Sequence, residues 1–225
     1  MKQWIYRILI FGLLGGGIWF SYLAYREHQP FAEAEVKQEA LTGVVIQDDD
    51  PENPLNRKID FETLQMINPE IVGWLYVPQI GVDMPVLKGG DNEAYLNLDF
   101  EGNYSPLGSV FTWHDADPRL TDPHISLFAH NMPSGQMFGN LKRFEDLEFQ
   151  KENPIFYMYT PERSKELCVM DVRTCGKDDA IFQHDWKSGE DDDQQTITLV
   201  TCVSYDITPD RLAVTGKVVR EKVIL

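Results

Sequence analysis

Between Ile71 and Arg220 the sequence alternates short runs of β-branched and aromatic residues with clusters of Gly, Pro, Asp and Asn. The runs are IVGWLYVP, DMPVLK, GSVFTWH, HISLFAH, PIFYMYT, ELCVMDVRTC, TITLVTC and RLAVTGKVVR. Runs of this length and composition read as strands. Roughly eight strands with few helices to cover them need a sheet closed on itself, because an open sheet leaves unpaired edges. The expected fold class is mainly β, an eight-stranded closed barrel or sandwich with a few short helices. IDFETLQMIN reads as a short amphipathic helix with Asp60 or Thr63 near its start. DNEAYL and SGQMFGNLKRF read as short helical pieces, the second with Met137, Leu141 and Phe144 as a core-facing stripe. The acidic run at 190–193 (EDDD) reads as a solvated loop and lacks the spacing of an EF-hand.

The N-terminus has a different character. From Ile8 to Tyr25 the sequence ILIFGLLGGGIWFSYLAY carries no charge, and a helix of about that length covers a bilayer core. Trp4, Tyr6, Trp19, Tyr22 and Tyr25 lie toward its two ends, as interfacial aromatics do. Lys2 and Arg7 precede it and Arg26 follows, with Glu27, Glu33, Glu35 and Glu39 soon after, a small positive bias that places the N-terminus in the cytoplasm and the rest outside. A cleaved signal peptide is the competing reading. The run is longer than a usual h-region, however, and no A-x-A-like site follows it. A buried core helix fits poorly with the triplet Gly15 to Gly17 and an apolar face all round. The expected organisation is a cytoplasmic tip and transmembrane signal-anchor over 1–26, a stalk over 27–58 and a folded domain over 59–225. The net charge is −16, and all 36 acidic residues lie at or beyond Glu27. Such a surface repels phosphate backbones and anionic lipid heads, so nucleic acid is not an expected partner.

Three cysteines allow at most one disulfide. Cys168 and Cys175 sit in an apolar stretch and read as ordinary buried cysteines. Cys202 closes TITLVTC and is followed by the loop VSYDITPD, after which Arg211 opens the next run. Two strands joined this way pair antiparallel and set Cys202 beside Arg211. A permanent cation next to a thiol favours the nucleophilic thiolate. Alone, a cysteine in a β-run is structural more often than catalytic. His130 changes that balance, because it ends HISLFAH just before the loop NMPSG, and a cysteine nucleophile needs an acid/base partner from elsewhere in the chain. His28 falls in the stalk; His114, His124 and His184 lie in polar stretches and are expected to face solvent. There is no H-x-x-H, H-E-x-x-H or C-x-x-C, hence no expected metal, and no G-x-S-x-G or phosphate loop.

TLVTC, with Arg211 nine residues after its cysteine and FAHNM upstream, resembles the sortase family. DNEAYLNLDFEGNYSPLGSVF is similar to the class B segment D-N-x-x-Y-L followed by G-S-I/V-F. HNMPSGQMFGNLKRFEDLEFQKENPIFYMYT is similar to the class B stretch H-N-M-x-x-G-x-M-F-x-x-L and the strand after it. The resemblance runs over roughly 60–225. It departs from the pattern at Ser204, where class B is often acidic (Asp206 lies two further on), at Ala129, where glycine is usual, and between VMDVRTC and TITLVTC, where class B carries a long helix. The resemblance implies a sortase-type eight-stranded β-barrel and an extracellular, membrane-anchored cysteine transpeptidase. Such an enzyme cleaves a C-terminal sorting motif of secreted proteins through a thioester acyl-enzyme and joins them to a peptidoglycan amine. It implies Cys202 as nucleophile, His130 as acid/base, Arg211 as oxyanion stabiliser, and Asn92, Leu96, Val200 and Thr201 along the substrate groove, with no cofactor. Three alternatives stay open: a class B-like pilus polymerase using a pilin lysine, a cysteine peptidase with water as acceptor, and a non-enzymatic extracellular interaction module whose cysteine is structural.

Overall fold

Period-two alternation organises the molecule. In the strand Thr196–Cys202, Ile197 and Leu199 join the main apolar cluster, while Val200 belongs to a separate cluster on the opposite face. The structure, a computed structural model, describes residues 2–48, 50–187, 194–204 and 208–224. Its strands are β1 (Ile46–Asp48), β2 (Lys58–Ile59), β3 (Ile71–Val77), β4 (Val82–Leu87), β5 (Val110–Thr112), β6 (His124–Phe128), β7 (Ile155–Tyr159), β8 (Arg163–Gly176), β9 (Thr196–Cys202) and β10 (Asp210–Val223). β1 and β2 pair with each other, and the other eight close a barrel in the order β10-β8-β7-β3-β4-β5-β6-β9. These eight are the eight runs read as strands. Pairing is antiparallel except between β4 and β5 and between β6 and β9.

The barrel interior is filled by Leu75, Val86, Leu127, Phe156, Met158, Leu167, Leu199, Leu212 and Val214. Each such side chain contributes about 1.5–3 kcal/mol when fully buried. A Cβ on Gly216 would stand 2.3 Å from the Phe156 ring, so that ring occupies space only a glycine leaves open. Two outer faces are also covered. Leu41 and Val45, with Phe61 and Leu64 of α2 (Phe61–Ile67), lie over Trp74, Leu87, Tyr157 and Tyr159. Asp60 caps α2 by accepting from the Thr63 N–H at 2.9 Å. On the other face Ile181 and Phe182, from the 3-10 turn Ala180–Phe182, sit on Val200 and Ala213 beside Trp113 and Phe128.

The N-terminal helix α1 (Lys2–Val45) is continuous and carries Pro30 within it. Beyond Pro30 it lies on the barrel: Phe31 and Ala34 touch the barrel cluster, and Lys37 pairs with Asp99 at 2.5 Å and Glu101 at 2.7 Å. Much of the segment expected to be a stalk is therefore packed. Before Pro30, Trp4, Phe11, Leu13, Ile18 and Phe20 are exposed. Among the described residues no helix is long and apolar enough to cross a membrane. The side chains of Ile8 and Leu9, which open the apolar run, lie outside the described residues.

Two sequence expectations are corrected. SGQMFGNLKRF is not one helix: Gly135 and Met137 have φ of 84° and 52°, and only the 3-10 turn Leu141–Glu145 forms. A Cβ on Gly139 would fall 2.1 Å from the Met132 carbonyl oxygen, a closeness no helix presents. Met137, Leu141 and Phe144 still reach the barrel core. His124 does not face solvent but is fully buried, with Nδ1 2.7 Å from Thr196 Oγ1 and its ring edge-on to Trp186 at 4.9 Å. The run at 190–193 and Asp206 lie outside the described residues.

Burial pushes the His124 imidazole down to about 4, with nearby His184 adding to the effect and a backbone hydrogen bond opposing it. The unfolded chain therefore binds a proton that the folded chain refuses between about pH 6.5 and 4. Stability from this group is full above pH 6.5 and is lost as pH falls toward 4, by up to about 3 kcal/mol. Thermal melting of His124→Asn against the parent across that range is expected to show a weaker acid dependence in the variant.

Candidate active site

The site forms where β6 and β9 end and β10 begins. Arg211 is the register partner of Cys202 in the antiparallel β9–β10 pair. β6 runs parallel to β9 with Phe128 opposite Val200, so His130 and Cys202 each follow two residues beyond that pair. Three hydrogen bonds close the two strand ends: Ala129 N–H to Val200 O at 3.2 Å, Thr201 Oγ1 to Ala129 O at 2.9 Å, and Asn131 Nδ2 to Cys202 O at 2.8 Å. Side-chain alternation puts Cys202 on the same outer face as Val200, away from the barrel interior. The half-buried thiol is free, as are those of Cys168 and Cys175.

His130 is held from two sides. Its Nε2 is 2.7 Å from the Leu96 carbonyl oxygen, and its own carbonyl accepts from Phe138 N–H at 3.0 Å. A carbonyl oxygen only accepts, so Nε2 carries a proton and Nδ1 is the nitrogen left to exchange one. Arg211 donates through one terminal nitrogen to Thr208 O at 2.7 Å and Asp210 O at 3.1 Å, which folds the guanidinium over its own turn. Thiol, imidazole and guanidinium at one end of the barrel are the group types that a nucleophile, a proton carrier and a fork of donors for developing negative charge require.

Cys175 lies opposite Arg211 on its other side, in the β8–β10 register. Burial first, and Asp179 second, push its thiol above the ordinary range, while Arg173 and Arg211 pull the other way. Cys175 and Cys202 stand two strands apart, about 9–10 Å between Cα atoms. A disulfide reaches no further than about 7 Å.

Leu96, Val200 and Thr201 all meet this end of the barrel, in unequal ways. Leu96 offers its carbonyl to His130. Val200 and Thr201 are buried, at 1% and 3% exposure, Val200 beneath Ile181 and Phe182. Asn92 Oδ1 accepts from the His114 N–H at 2.8 Å, just beyond β5. Sequence reading gave no role to Asn131, although it stood in the quoted HNM, nor to Gly108, in the quoted LGSVF. Gly108 has a φ of 61°, and a Cβ there would lie 2.6 Å from the carbonyl oxygens of both Tyr95 and Leu96. Only glycine lets Leu96 present its oxygen to His130.

Gly108→Ala is expected to displace the Leu96 carbonyl and slow iodoacetamide alkylation of Cys202 at neutral pH by about 10- to 100-fold, as ångström-scale misplacement does. Gly81→Ala is the control: its φ is 75° but nothing lies within 4 Å of the added carbon, so strain comes without collision and outside the segments that hold His130. Alkylation rates of the two variants, read by peptide mass mapping, check the assignment.

Comparison with known proteins identifies the family. The family described as the sortase domain matches residues 75–219, more than half of the chain. Sortase B of Staphylococcus aureus is 25% identical over 182 residues, covering 71% of this chain and 75% of that protein. Sortase B of Listeria monocytogenes is 30% identical over 97 residues, and there the chain spans only 39% of the relative's length. The solved structure of sortase B from B. anthracis is similar with a TM-score of 0.66 at 27% identity, covering 88% of this chain and 99% of that one. Family match, barrel order and the Cys202–Arg211 register converge: the chain belongs to the sortase family of cysteine transpeptidases.

Proposed function

We propose that the chain is a class B-like sorting enzyme that works outside the cell and joins secreted proteins to an amine of the peptidoglycan. The observation that carries this reading is the register pair of Cys202 and Arg211, with His130 leaving the neighbouring parallel strand. The Cys202 thiolate attacks a backbone carbonyl carbon in a C-terminal sorting peptide. Arg211 turns its donors to the developing oxyanion. As the C–N bond breaks, His130 gives its proton to the leaving amine, and a thioester remains. An incoming amine attacks the thioester, His130 takes the proton it sheds, a new amide forms and the thiolate is released. Asn92 and Leu96 border the peptide by analogy with class B enzymes, with Val200 and Thr201 shaping the floor of the groove. A Staphylococcus aureus sortase B has been solved as a substrate complex, which supports a bound substrate here.

The proposed anchor is the uncharged run Ile8–Tyr25 in the first part of α1. Its support is the set of exposed apolar side chains on a helix segment, including Phe11, Leu13, Ile18 and Phe20. The N-terminus is cytoplasmic and the barrel extracellular, where substrate and a lipid-linked acceptor reach the same surface. Membranes carrying the full-length chain, washed with alkaline carbonate, are expected to retain it; release would remove the anchor.

The full-length chain, beside Cys202→Ala and Arg211→Lys, is incubated with quenched sorting-type peptides and several acceptor amines, with products read by mass spectrometry. Cys202→Ala is expected to abolish cleavage. Arg211→Lys is expected to cost about 100- to 1,000-fold, since a point charge does not reproduce the guanidinium fork. Amine-capped product establishes transfer. Hydrolysis with no capping by any amine would make the enzyme a peptidase, and capping by a pilin lysine alone would make it a pilus polymerase.

A further inference from the structure

Beyond Pro30, α1 rests on the barrel through Phe31, Ala34, Leu41 and Val45 and through Gln38 on the Asp83 carbonyl, and it also reaches two segments that hold His130. The first is the turn at 97–104. Lys37 Nζ reaches Asp99 at 2.5 Å and Glu101 at 2.7 Å and lies 5.2 Å from the centre of the Phe100 ring. Asp99 organises that turn, because its Oδ1 accepts from the backbone N–H groups of Glu101 and Asn103, both at 2.9 Å. The turn is tied back by Ser105 N–H to Asn97 O at 2.9 Å, one residue after Leu96. Leu96 in turn presents its carbonyl to His130 Nε2. The second place is the 131–140 loop. Gln136 Nε2 donates to Glu35 Oε2 at 3.3 Å, and this loop returns to His130 through Phe138 N–H and through the bridge between Asn131 and Met137. A cavity of about 350 Å³ separates helix from barrel here, walled by Lys37 and Gln38 on one side and by Gly108 and Met137 on the other. The helix therefore does not rest on a continuous apolar seat at this point. It meets the two loops through polar side chains.

From this we infer that α1 is part of the catalytic apparatus, with Lys37 as a positioning residue that sets His130 through Asp99, the 97–104 turn and the Leu96 carbonyl. The inference rests on His130 being the acid/base of the proposed reaction. Its chemistry is orientation. With Leu96 held, Nε2 keeps its proton and its direction, and Nδ1 stays available to the Cys202 thiol. With the turn loosened, the ring loses its fixed partner and the imidazole no longer supports the thiolate. Partial burial pushes the Lys37 ammonium down, but the hydrogen bonds and charges of Asp99 and Glu101 together outweigh it and hold the group above the usual lysine range.

The test uses the full-length chain in detergent micelles and a probe that needs no knowledge of the substrate: the rate of Cys202 alkylation by iodoacetamide from pH 5 to pH 10, located by peptide mass mapping. Four forms are compared: parent, Lys37→Met, Lys37→Arg and His130→Gln. Lys37→Met keeps the length of the side chain and removes its charge. It is expected to slow alkylation at pH 7 by about 2- to 30-fold, the range seen for coupling through packed contacts, and to move the midpoint of the pH profile upward. Lys37→Arg is expected to restore both. Alkylation of Cys168 and Cys175 is expected to stay at the parent rate, which a general loosening of the barrel would not allow. A parent-like profile in Lys37→Met, with a changed one in His130→Gln, would overturn the inference and leave the role of His130 standing. A parent-like profile in both would overturn the two together.

Discussion

The pairing of β9 between β6 and β10 is the constraint on which the rest depends. β9 must run parallel to β6 and antiparallel to β10, and both registers have to hold for His130, Cys202 and Arg211 to arrive at one end of the barrel. A shift of one residue in either would turn Cys202 inward, because side chains alternate faces along a strand. The alternation of Ile197 and Leu199 with Thr198 and Val200 fixes the register energetically, since a slip would carry buried aliphatic groups out of the interior and bring threonines in. Thr198 and Thr215 meet across β9 and β10 at 2.7 Å and satisfy each other, so the outer face beneath the 180–182 turn tolerates hydroxyls.

Much of this was legible in the residues. All eight strand runs became barrel strands, because β-branched and aromatic runs punctuated by glycine and proline leave little else for the chain to do. The adjacency of Cys202 and Arg211 followed from the connection between their strands alone. Three things were not legible. The 131–140 loop carries helical spacing in Met137, Leu141 and Phe144, yet Gly135 and Gly139 allow a tighter path that delivers the same side chains to the core. His124 sits among prolines and aspartates in sequence, and only the closure of β6 against β9 and the arrival of Trp186 bury it. The Leu96 carbonyl could not be found by any residue type, since every residue has one; the local sign was Gly108, whose missing side chain gives that oxygen room.

Helix α1 joins two parts of the molecule that the sequence presents as separate. The spacing of Phe31, Ala34, Lys37, Gln38 and Leu41 is that of one helix face, and that face meets the barrel. What reads as a tether is also a wall of the folded domain. Because α1 is continuous and its part beyond Pro30 is docked, that stretch is held against the barrel, where a flexible stalk would leave it free.

The parallel β6–β9 pairing also decides when the thiol becomes reactive. Parallel strands cannot be joined by a tight turn, and here Ala129 and Thr201, which bond across the pair, lie 72 residues apart. Closing so long a loop is entropically costly and slow, and its cost is recovered only when the contacts beyond it form. Closure of that pair is therefore expected late in folding, and only then does the imidazole meet the cysteine. Until then Cys202 is an ordinary thiol on an unfinished strand, without the neighbours that favour an activated nucleophile.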